Sequence, residues 1–508
     1  MSTMRQSALV LAFLVVTAAG CGSGSTPQGS TCTIPDAGPG TPSTCSNPPG
    51  QSTATGSETV DRLGTLRVSQ QVSFQVPQNT VSITIIEQAV SAPDTITYQP
   101  PQQSSFTLDN TAVPLKVVDP SGKVVYDDNP VASVTDPNLI ANQLAFFGSS
   151  SPVTGTLTVP NTTGGLNLIG TSGALAAGQW SMTVSDYAYE CTFQQASGAC
   201  CSGGSTASTY DVTIITKQHA GGGIPTSGSL DVVVYFATTT ADLPDGTPSP
   251  LSATAANAGT DPDLARMQQT LTTLLGKAAV DVNSVTYVDL PADVLAVYSG
   301  GVNIDQTGAC SDMAALLRHG ADGNKLNIFF VSSFQASDLS AGNTVVGLDG
   351  TIPGPASVGG TAASGVAVAT HDLRRTVTKS GTQLCPSGSI NPYDCGPDET
   401  AYIIAHEAGH YLGLYHVTES DGTLFDPLLD TPMCPCSTCA PAASKAQCAD
   451  ATPAPASGNA YQVQVADCVK STSCGGGDNL MFWILDNGSL GTLTDEQQRV
   501  MRANPLLQ

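Results

Sequence analysis

The sequence predicts a multidomain protein, an N-terminal antiparallel β-sandwich followed by an α/β domain of the α+β type. The chain has 508 residues, and a single domain with one hydrophobic core is usually smaller than this. Residues 58–218 contain short apolar runs with a period of two, separated by turn residues and without a helical period. Residues 229–508 alternate strand-like runs with segments of helical spacing. We therefore expect two domains of different architecture.

The beginning of the chain predicts export. Residues 1–20 contain one basic residue, Arg5, and an apolar stretch at 8–16 that is too short to span a bilayer. Small residues at 18–20 directly precede Cys21, which resembles the lipobox of bacterial lipoproteins. The resemblance implies lipidation of Cys21 and a location in the cell envelope, at the outer membrane or cell surface. The alternative is an ordinary secretory signal and an extracellular protein.

The charge composition of the chain limits the electrostatic partners that it can bind. A net charge of −24 with only 17 Lys and Arg excludes nucleic acid and anionic membrane surfaces as electrostatic partners. The expected membrane contact is the lipid anchor alone. Residues 21–57 are rich in Gly, Ser and Pro and predict a flexible tether. With Cys21 lipidated, fourteen of the fifteen cysteines remain, an even number that suits disulfides in an oxidising compartment.

The first domain is predicted from alternating apolar residues at 58–218. Val72, Phe74 and Val76 alternate with polar residues, and the turn sequence at 119–122 separates two further runs. Other strands are predicted at residues 81–85, 115–118, 124–126, 155–159, 180–184 and 210–215. Short strands joined by turns are typical of a sandwich. Such a module could bind substrate or a surface, inhibit as a propeptide, or serve as a spacer.

Residues 219–228 form the predicted linker, because three consecutive glycines and a proline interrupt the apolar pattern. In the second domain, at 229–508, residues 262–277 place apolar side chains at helical spacing. Residues 347–360 are rich in Gly and Pro and predict a structured loop. Strands are predicted at 230–236, 285–290, 326–331 and 365–369, and a short helix at 310–318.

The chemistry is concentrated at 406–416, which has the pattern H-E-x-x-H-x-x-G-x-x-H. On a helix, His406 and His410 leave the same face and can hold one Zn²⁺. Glycine adopts positive φ readily, so a turn at Gly413 would end the helix and return His416 as a third ligand. Three protein ligands leave a fourth position open, as in catalytic zinc sites. The alternative is a helix whose histidines have this spacing by coincidence.

The pattern is similar to the long zinc motif of the metzincin metallopeptidases. Behind it the chain continues with Asp-Pro-Leu-Leu-Asp-Thr-Pro at 426–432, a cysteine-rich stretch, and Asp-Asn-Leu-Met-Phe-Trp at 478–483. This succession resembles the pappalysin-like branch, which includes secreted bacterial endopeptidases. The resemblance implies that the three histidines bind zinc and that Glu407 is the general base. It also implies that Met481 is the Met-turn residue, whose thioether lies beneath the zinc without binding it.

Two further positions follow from the same resemblance. Many relatives carry Tyr two residues after the Met-turn methionine, where the phenol stabilises the oxyanion, but this chain has Trp483. An indole N–H donates one hydrogen bond and is no oxygen ligand. Asp426, the carbonyl of Leu428 and Thr431 stand where pappalysin-like enzymes bind calcium, and oxygen ligands suit Ca²⁺. The alternative for this stretch is an Asx-Pro turn.

Several cysteines allow two interpretations. Cys434, Cys436 and Cys439 could hold a second zinc, but in an exported protein disulfides are favoured. The sequence beginning at Cys395 faintly resembles a cysteine switch, but it directly precedes the predicted active-site helix, so a disulfide is again preferred. Disulfides are also expected for the cysteines crowded into one loop of the first domain, Cys191, Cys200 and Cys201.

The sequence thus predicts an exported zinc-dependent endopeptidase that cleaves protein or peptide substrates through a zinc-bound water, with Glu407 as general base. Substrate would add an extended strand to a sheet edge, for which residues 365–369 are the candidate. Two alternatives stay open. One is a catalytically silent surface adhesion or binding protein. The other is a zymogen whose β-sandwich is the propeptide and whose mature N-terminus lies near Gly221.

Overall fold

A computed structural model describes the chain in segments. The predictions for the signal peptide, the lipidated Cys21 and the tether lie outside the described residues, apart from short pieces at 8–10 and 50–52. Within the described segments, no helix combines the length and apolar character that crossing a membrane requires. The described residues are 8–10, 50–52, 57–91, 105–127, 140–147, 153–194, 198–204, 209–241, 250–304, 309, 311–336, 343–377, 383–451, 460–469 and 473–508.

The described segments of the N-terminal part consist mainly of strands and include the helix Thr163–Ser172. Its elements in chain order are β1 (Ala8–Val10), β2 (Gln51–Ser52), β3 (Glu58–Arg67), β4 (Gln71–Val76), β5 (Thr80–Ser91), β6 (Ser105–Val118), β7 (Val124–Asp127), β8 (Thr154–Val159), α1 (Thr163–Ser172), β9 (Gly178–Gln194), β10 (Gly198–Gly204) and β11 (Thr209–Gln218).

Two antiparallel sheets contain strands β3 to β11. One has the order β10-β9-β6-β7, with β4 also paired to β9, and the other has the order β3-β11-β5-β8. Phe74 and Trp180 of the first sheet belong to the same apolar cluster as Ile83, Ile85 and Tyr210 of the second. The alternating apolar residues thus predicted the strands and the buried faces correctly.

Helix α1 is absent from the sequence-based expectation. Its segment contains three glycines, which weaken helix propensity. Thr162 caps its start by accepting a hydrogen bond from the Gly165 backbone N–H, at 3.1 Å. A side chain at Gly164 or Gly165 would collide with backbone carbonyls of residues 141–144. Tertiary packing therefore selects glycine here and overrides the local preference.

The C-terminal part mixes helices and strands. Its elements are β12 (Gly228–Phe236), α2 (Pro262–Gly276), β13 (Val280–Asp289), α3 (Ala292–Tyr298), β14 (Val302–Asn303), α4 (Asp312–Leu317), β15 (Leu326–Val331), β16 (Phe334–Gln335), β17 (Asn343–Val345), β18 (Gly347–Asp349), β19 (Val358–Gly359), β20 (Val366–Ala369), α5 (Gly396–Tyr411), α6 (Cys436–Cys439), β21 (Ile484–Leu485) and α7 (Asp495–Ala503).

A five-stranded sheet with the order β13-β12-β15-β20-β18 forms the centre of this part. Strands β13, β12, β15 and β20 are parallel, and β18 is antiparallel to β20. Val232 and Val234 belong to one apolar cluster with residues of α2 and α5, whereas Val233 and Tyr235 belong to a second cluster with residues of α4. The sheet is therefore covered on both faces, as mixed α/β sheets require.

Two expectations for this part are wrong. Residues 365–369 were the candidate edge strand, but β20 lies inside the sheet, between β15 and β18. The edge strand next to β20 is β18, which falls within the stretch 347–360 predicted as a loop. Its composition lacks the apolar alternation of a strand, and pairing with β20 imposes the extended conformation.

The N-terminal and C-terminal parts are joined by buried contacts. The ammonium of Lys217 donates to the carbonyl oxygens of Arg502, Asn504 and Leu507, at 2.9, 2.9 and 2.7 Å. Leu166 of α1 is buried in the main C-terminal cluster. Cystine bridges fix the C-terminal loops: Cys385–Cys395, Cys434–Cys468, Cys436–Cys448 and Cys439–Cys474. Disulfides of this number are typical of extracellular or exported proteins.

Candidate metal centre

Helix α5 carries the predicted motif, and all sixteen of its residues are buried. Pro397 lies in its first turn, where the missing N–H costs nothing, and Asp398 and Glu399 place acidic groups at the positive end of the helix dipole. The helix packs against α2 and against β18 and β20. It ends at Tyr411, and Gly413 follows with a φ of +106°, as predicted for the helix stop.

The three histidines of the motif converge. The Nε2 atoms of His406 and His410 are 3.1 Å apart, and each lies 3.2 Å from Nε2 of His416. A tetrahedral zinc ion with bonds of about 2.05 Å separates its nitrogen ligands by about 3.3 Å. The three residues are buried, with exposed fractions of 0%, 1% and 3%. These three atoms therefore have the arrangement that a single metal ion requires.

The opposite ring nitrogens fix the tautomers of two of these histidines. Nδ1 of His406 lies 2.6 Å from the carbonyl oxygen of Leu480, and Nδ1 of His410 lies 2.7 Å from that of Leu414. A carbonyl can only accept, so both Nδ1 atoms carry the proton and both Nε2 atoms present lone pairs. Burial, assisted by the neighbouring His416, lowers the pKa of His406 to about 3. Neutral imidazoles are the form that binds metal.

Glu407 lies beside this cluster and against the edge strand. A methyl group at Gly347 of β18 would collide with its carboxylate, so only glycine leaves room for the side chain there. Burial, and secondarily the nearby carboxylate of Asp349, raises the pKa of Glu407 well above its ordinary value. Burial also raises the pKa of Asp349 to about 8, and its Oδ2 is buried without a hydrogen-bond partner.

Met481 packs against the helix that carries the motif. Its sulfur packs on Gly409, between the two helical ligands, so tightly that a methyl group at Gly409 would overlap it. The Met481 carbonyl accepts from the Val417 backbone N–H at 3.0 Å, and its own N–H donates to Asn479 Oδ1 at 2.8 Å. This turn thus contacts both the helix and the chain that follows His416. The structure thus places Met481 against the motif helix at Gly409, and its Met-turn role stays a prediction.

The Trp483 indole forms its hydrogen bond within the protein. Its side chain is buried, and the indole N–H donates to the Val463 carbonyl at 2.8 Å. An indole has a single donor, so this bond leaves none for a substrate oxyanion. The structure therefore favours a packing role for Trp483 over a catalytic one.

The three predicted calcium donors come together. The hydroxyl of Thr431 lies 2.5 Å from Asp426 Oδ1 and 2.7 Å from the Leu428 carbonyl oxygen. Asp426 Oδ1 also accepts from the Leu428 N–H at 3.3 Å, which is the Asx turn of the alternative interpretation. Asp426 Oδ2 is buried without a hydrogen-bond partner, which fits an oxygen donor to a cation. These donors supply three of the six to eight oxygens that Ca²⁺ takes.

A second group with metal-binding residue types contains Cys436, Cys448 and Asp450. The two cysteines are joined as a disulfide, so they offer no thiolate, and Asp450 is exposed. Cys434 and Cys439 are also disulfide-bonded, as is Cys395. The preference for disulfides over a second zinc and over a cysteine switch is therefore confirmed.

Two acidic residues near the centre escaped the sequence analysis. Glu419 contacts Nδ1 of His416, with oxygen distances of 3.1 and 3.2 Å. A carboxylate three residues after a candidate ligand was a usable signal. Asp349 gave no signal, because only the pairing of β18 with β20 brings its stretch of the chain to Glu407.

No protein-family model matches the chain, and no curated protein matches its sequence. Among solved structures, the chain is similar to the lipase BlEst2 of Bacillus licheniformis in its propeptide form, with 11% identity and a TM-score of 0.15. The match covers 34% of this chain and 24% of the lipase chain, so this chain spans about a quarter of the lipase. Such low similarity says nothing about chemistry, and function has to be inferred from the site.

Proposed function

We propose that the protein is an exported zinc-dependent endopeptidase of the metzincin type, with the pappalysin-like branch as its nearest resemblance. One observation carries the proposal: three buried imidazole nitrogens converge within 3.2 Å of one another. Glu407 follows the first of these ligands in the chain and lies against the edge strand of the sheet.

The residue types fit a zinc ion. Three imidazoles and no fourth protein ligand among the grouped residues are typical of a catalytic zinc site. When bound, zinc would supply the Lewis acidity that activates water and polarises a peptide carbonyl. His406, His410 and His416 would hold the ion, and Met481 would pack beneath it.

Glu407 is the proposed general base. Its carboxylate would take a proton from the attacking water and pass it to the leaving amine. Its apolar surroundings raise its pKa, and a divalent cation at the histidines would favour its ionised form. Gly347 keeps the space around the carboxylate open on the side of the edge strand.

Substrate binding is proposed at β17 and β21 instead of β20. Strand β1, part of the predicted leader, pairs in parallel with β17 and antiparallel with β21. Backbone groups of β17 and β21 can therefore accept an extended strand. After removal of the leader we expect a peptide substrate to pair with the same groups.

The remaining assignments belong to the same proposal. The two N-terminal sheets, which share one apolar cluster, constitute the β-sandwich domain. Cys21 carries a lipid that holds the protein in the cell envelope. Asp426, Leu428 and Thr431 contribute to a calcium site that stabilises the loop after His416. Elemental analysis with both metals, on the wild type and on Asp426→Asn, tests the calcium assignment.

A catalytically silent binding protein is the second candidate, and Trp483 is the observation that favours it. Its N–H is bonded to Val463, so the position where relatives carry the oxyanion-stabilising tyrosine offers no donor. The endopeptidase is preferred because Glu407 and all three ligands are in place.

Cleavage of a mixed peptide library by the purified mature protein decides between the two candidates. The endopeptidase predicts cutting that a zinc chelator abolishes, and a Glu407→Gln variant that keeps zinc but loses cutting. Undiminished cutting by Glu407→Gln would refute the proposed mechanism. A zinc-loaded wild type that cuts nothing would favour the binding protein.

A further inference from the structure

The three candidate ligands differ in what orients them. His406 and His410 lie on helix α5, and their Nδ1 protons are donated to the carbonyls of Leu480 and Leu414. His416 lies beyond the helix, after the turn at Gly413, so no helical backbone fixes its ring. Its Nδ1 lies 3.1 and 3.2 Å from the two carboxylate oxygens of Glu419. The third ligand therefore has a charged partner where the other two have neutral ones.

A tight turn holds Glu419 in place. The Glu419 N–H donates to the Leu424 carbonyl at 3.0 Å, and the Gly422 N–H donates back to the Glu419 carbonyl at 2.8 Å. Gly422 has a φ of +68°, and a methyl group there would lie 2.6 Å from the backbone nitrogen of Cys436. The turn thus requires glycine and packs directly on the segment that the Cys436–Cys448 bridge fixes.

We propose that Glu419 is the positioning residue of the metal centre: it orients His416 through Nδ1 and adds a negative charge that strengthens this ligand. Metal-bound histidines commonly donate their other ring N–H to a carboxylate, which fixes the ring and makes it a better ligand. Glu419 supplies that partner for the one ligand the helix does not hold. The inference rests on the zinc centre of the proposed function, and it does not depend on peptidase activity.

A plain surface ion pair is the competing explanation. The Glu419 side chain is 25% exposed, whereas that of His416 is 2% exposed. Exposed ion pairs contribute little, so on that explanation the loss of the carboxylate would leave metal binding unchanged. Zinc affinity therefore separates a positioning role from an incidental contact.

The test is the zinc affinity of the full mature protein, measured by competition with a chromogenic chelator. Glu419→Ala should bind zinc about 10- to 100-fold more weakly than the wild type. Glu419→Gln should lose less, because its amide oxygen still accepts from Nδ1, and Glu419→Asp should recover part of the affinity. The matched control is Asp421→Asn in the same turn, whose carboxylate accepts from Thr423. Its zinc affinity should equal that of the wild type.

Two further readouts exclude a merely structural effect. The melting temperature of the zinc-free protein should be the same for the wild type and Glu419→Gln, and the visible spectrum of the cobalt-substituted protein should change in that variant. Equal zinc affinity of the wild type, Glu419→Ala and Glu419→Gln would overturn the inference and leave the zinc centre intact. So would equal weakening in Asp421→Asn. A wild type that binds no zinc would refute the proposed function itself.

Discussion

The two ends of helix α5 differ in how their buried polar groups are paired. At the N-terminal end, the fully buried carboxylate of Asp398 receives two hydrogen bonds from Arg266, at 2.6 and 2.9 Å, and one from Thr270 at 2.6 Å. At the C-terminal end, the Nε2 atoms of three buried histidines converge within 3.2 Å of one another. The chain compensates buried charge itself at one end. At the other it brings together three histidine nitrogens that could hold a metal ion.

The largest expected effect tests the C-terminal end. His410→Ala removes one of the three nitrogens, so we expect the zinc content to fall from one ion per chain to essentially none, with loss of peptide cleavage. Elemental analysis after dialysis measures this. The control is His219→Ala, whose ring nitrogen Nδ1 lies 3.1 and 2.9 Å from the carbonyl oxygens of Gly222 and Gly223, away from the three converging histidines. Full zinc retention by His410→Ala would contradict the three-ligand assignment.

The next effect tests the N-terminal end. Arg266→Met leaves the buried Asp398 without its cation, which should lower the free energy of unfolding by about 3 kcal/mol. Lys325→Met removes one partner of an ion pair with Asp322, whose side chains are 33% and 38% exposed, and should cost less than about 1 kcal/mol. Denaturant unfolding of both variants measures the difference. Equal losses of unfolding free energy in the two variants would mean that burial does not determine how much the ion pair of Arg266 and Asp398 contributes.

Lys217 is a buried cation outside helix α5 and extends the comparison. Lys217 is bonded to three carbonyls of the C-terminal segment, and burial lowers its pKa to about 8, so it stays charged at pH 7. Lys217→Met should cost about 2 to 3 kcal/mol of unfolding free energy, because buried carbonyls lose their donors. The exposed Lys116, paired with Asp127, is the control. A Lys217→Met variant as stable as the Lys116→Met control would contradict this role.

Lys217 also bears on the zymogen alternative. If the N-terminal part were a removable propeptide, a chain that starts at Gly221 would be stable and active. The buried contacts of Lys217 and Leu166 predict that this truncated chain is less stable than the full protein. Thermal unfolding of both chains compares them, and a truncated chain of equal stability and higher activity would support the propeptide.

The smallest expected effect concerns the zinc-free histidines. Burial lowers the pKa of His406 to about 3, whereas the unfolded chain binds a proton at this residue below about pH 6.5. The unfolded state therefore holds more protons between these values, and stability falls as the pH falls. Between pH 7 and pH 5, His406 should cost the zinc-free protein about 2 kcal/mol. Unfolding curves of zinc-free wild type and His406→Gln at both pH values isolate this contribution, and parallel pH dependences would contradict it.

The sequence predicted most strands and the histidine cluster, because both depend on local spacing. Alternation places Val72, Phe74 and Val76 on a strand, and the four-residue interval places His406 and His410 on one helical face. The described edge strand and helix α1 could not be predicted this way. Gly347 and Gly164 look like loop residues, and only contacts with Glu407 and with the carbonyls of 141–143 explain the absence of side chains there.

The same distinction applies to the partners of the site. That Glu419 approaches His416 depends on a turn held by a disulfide-bonded segment, and the disulfide pairing cannot be deduced from sequence. That Trp483 donates to Val463 depends on the path of a loop twenty residues earlier in the chain. Long-range contacts thus determine which residues contact a motif that local spacing predicts.

Zinc K-edge absorption spectroscopy of the purified mature protein tests the central claim most directly. We expect one zinc per chain, bound by three imidazole nitrogens at about 2.0–2.1 Å with no sulfur ligand. Zinc bound by sulfur at about 2.3 Å would place the metal at cysteines instead, and a protein that takes up no zinc would contradict the assignment of the histidine cluster.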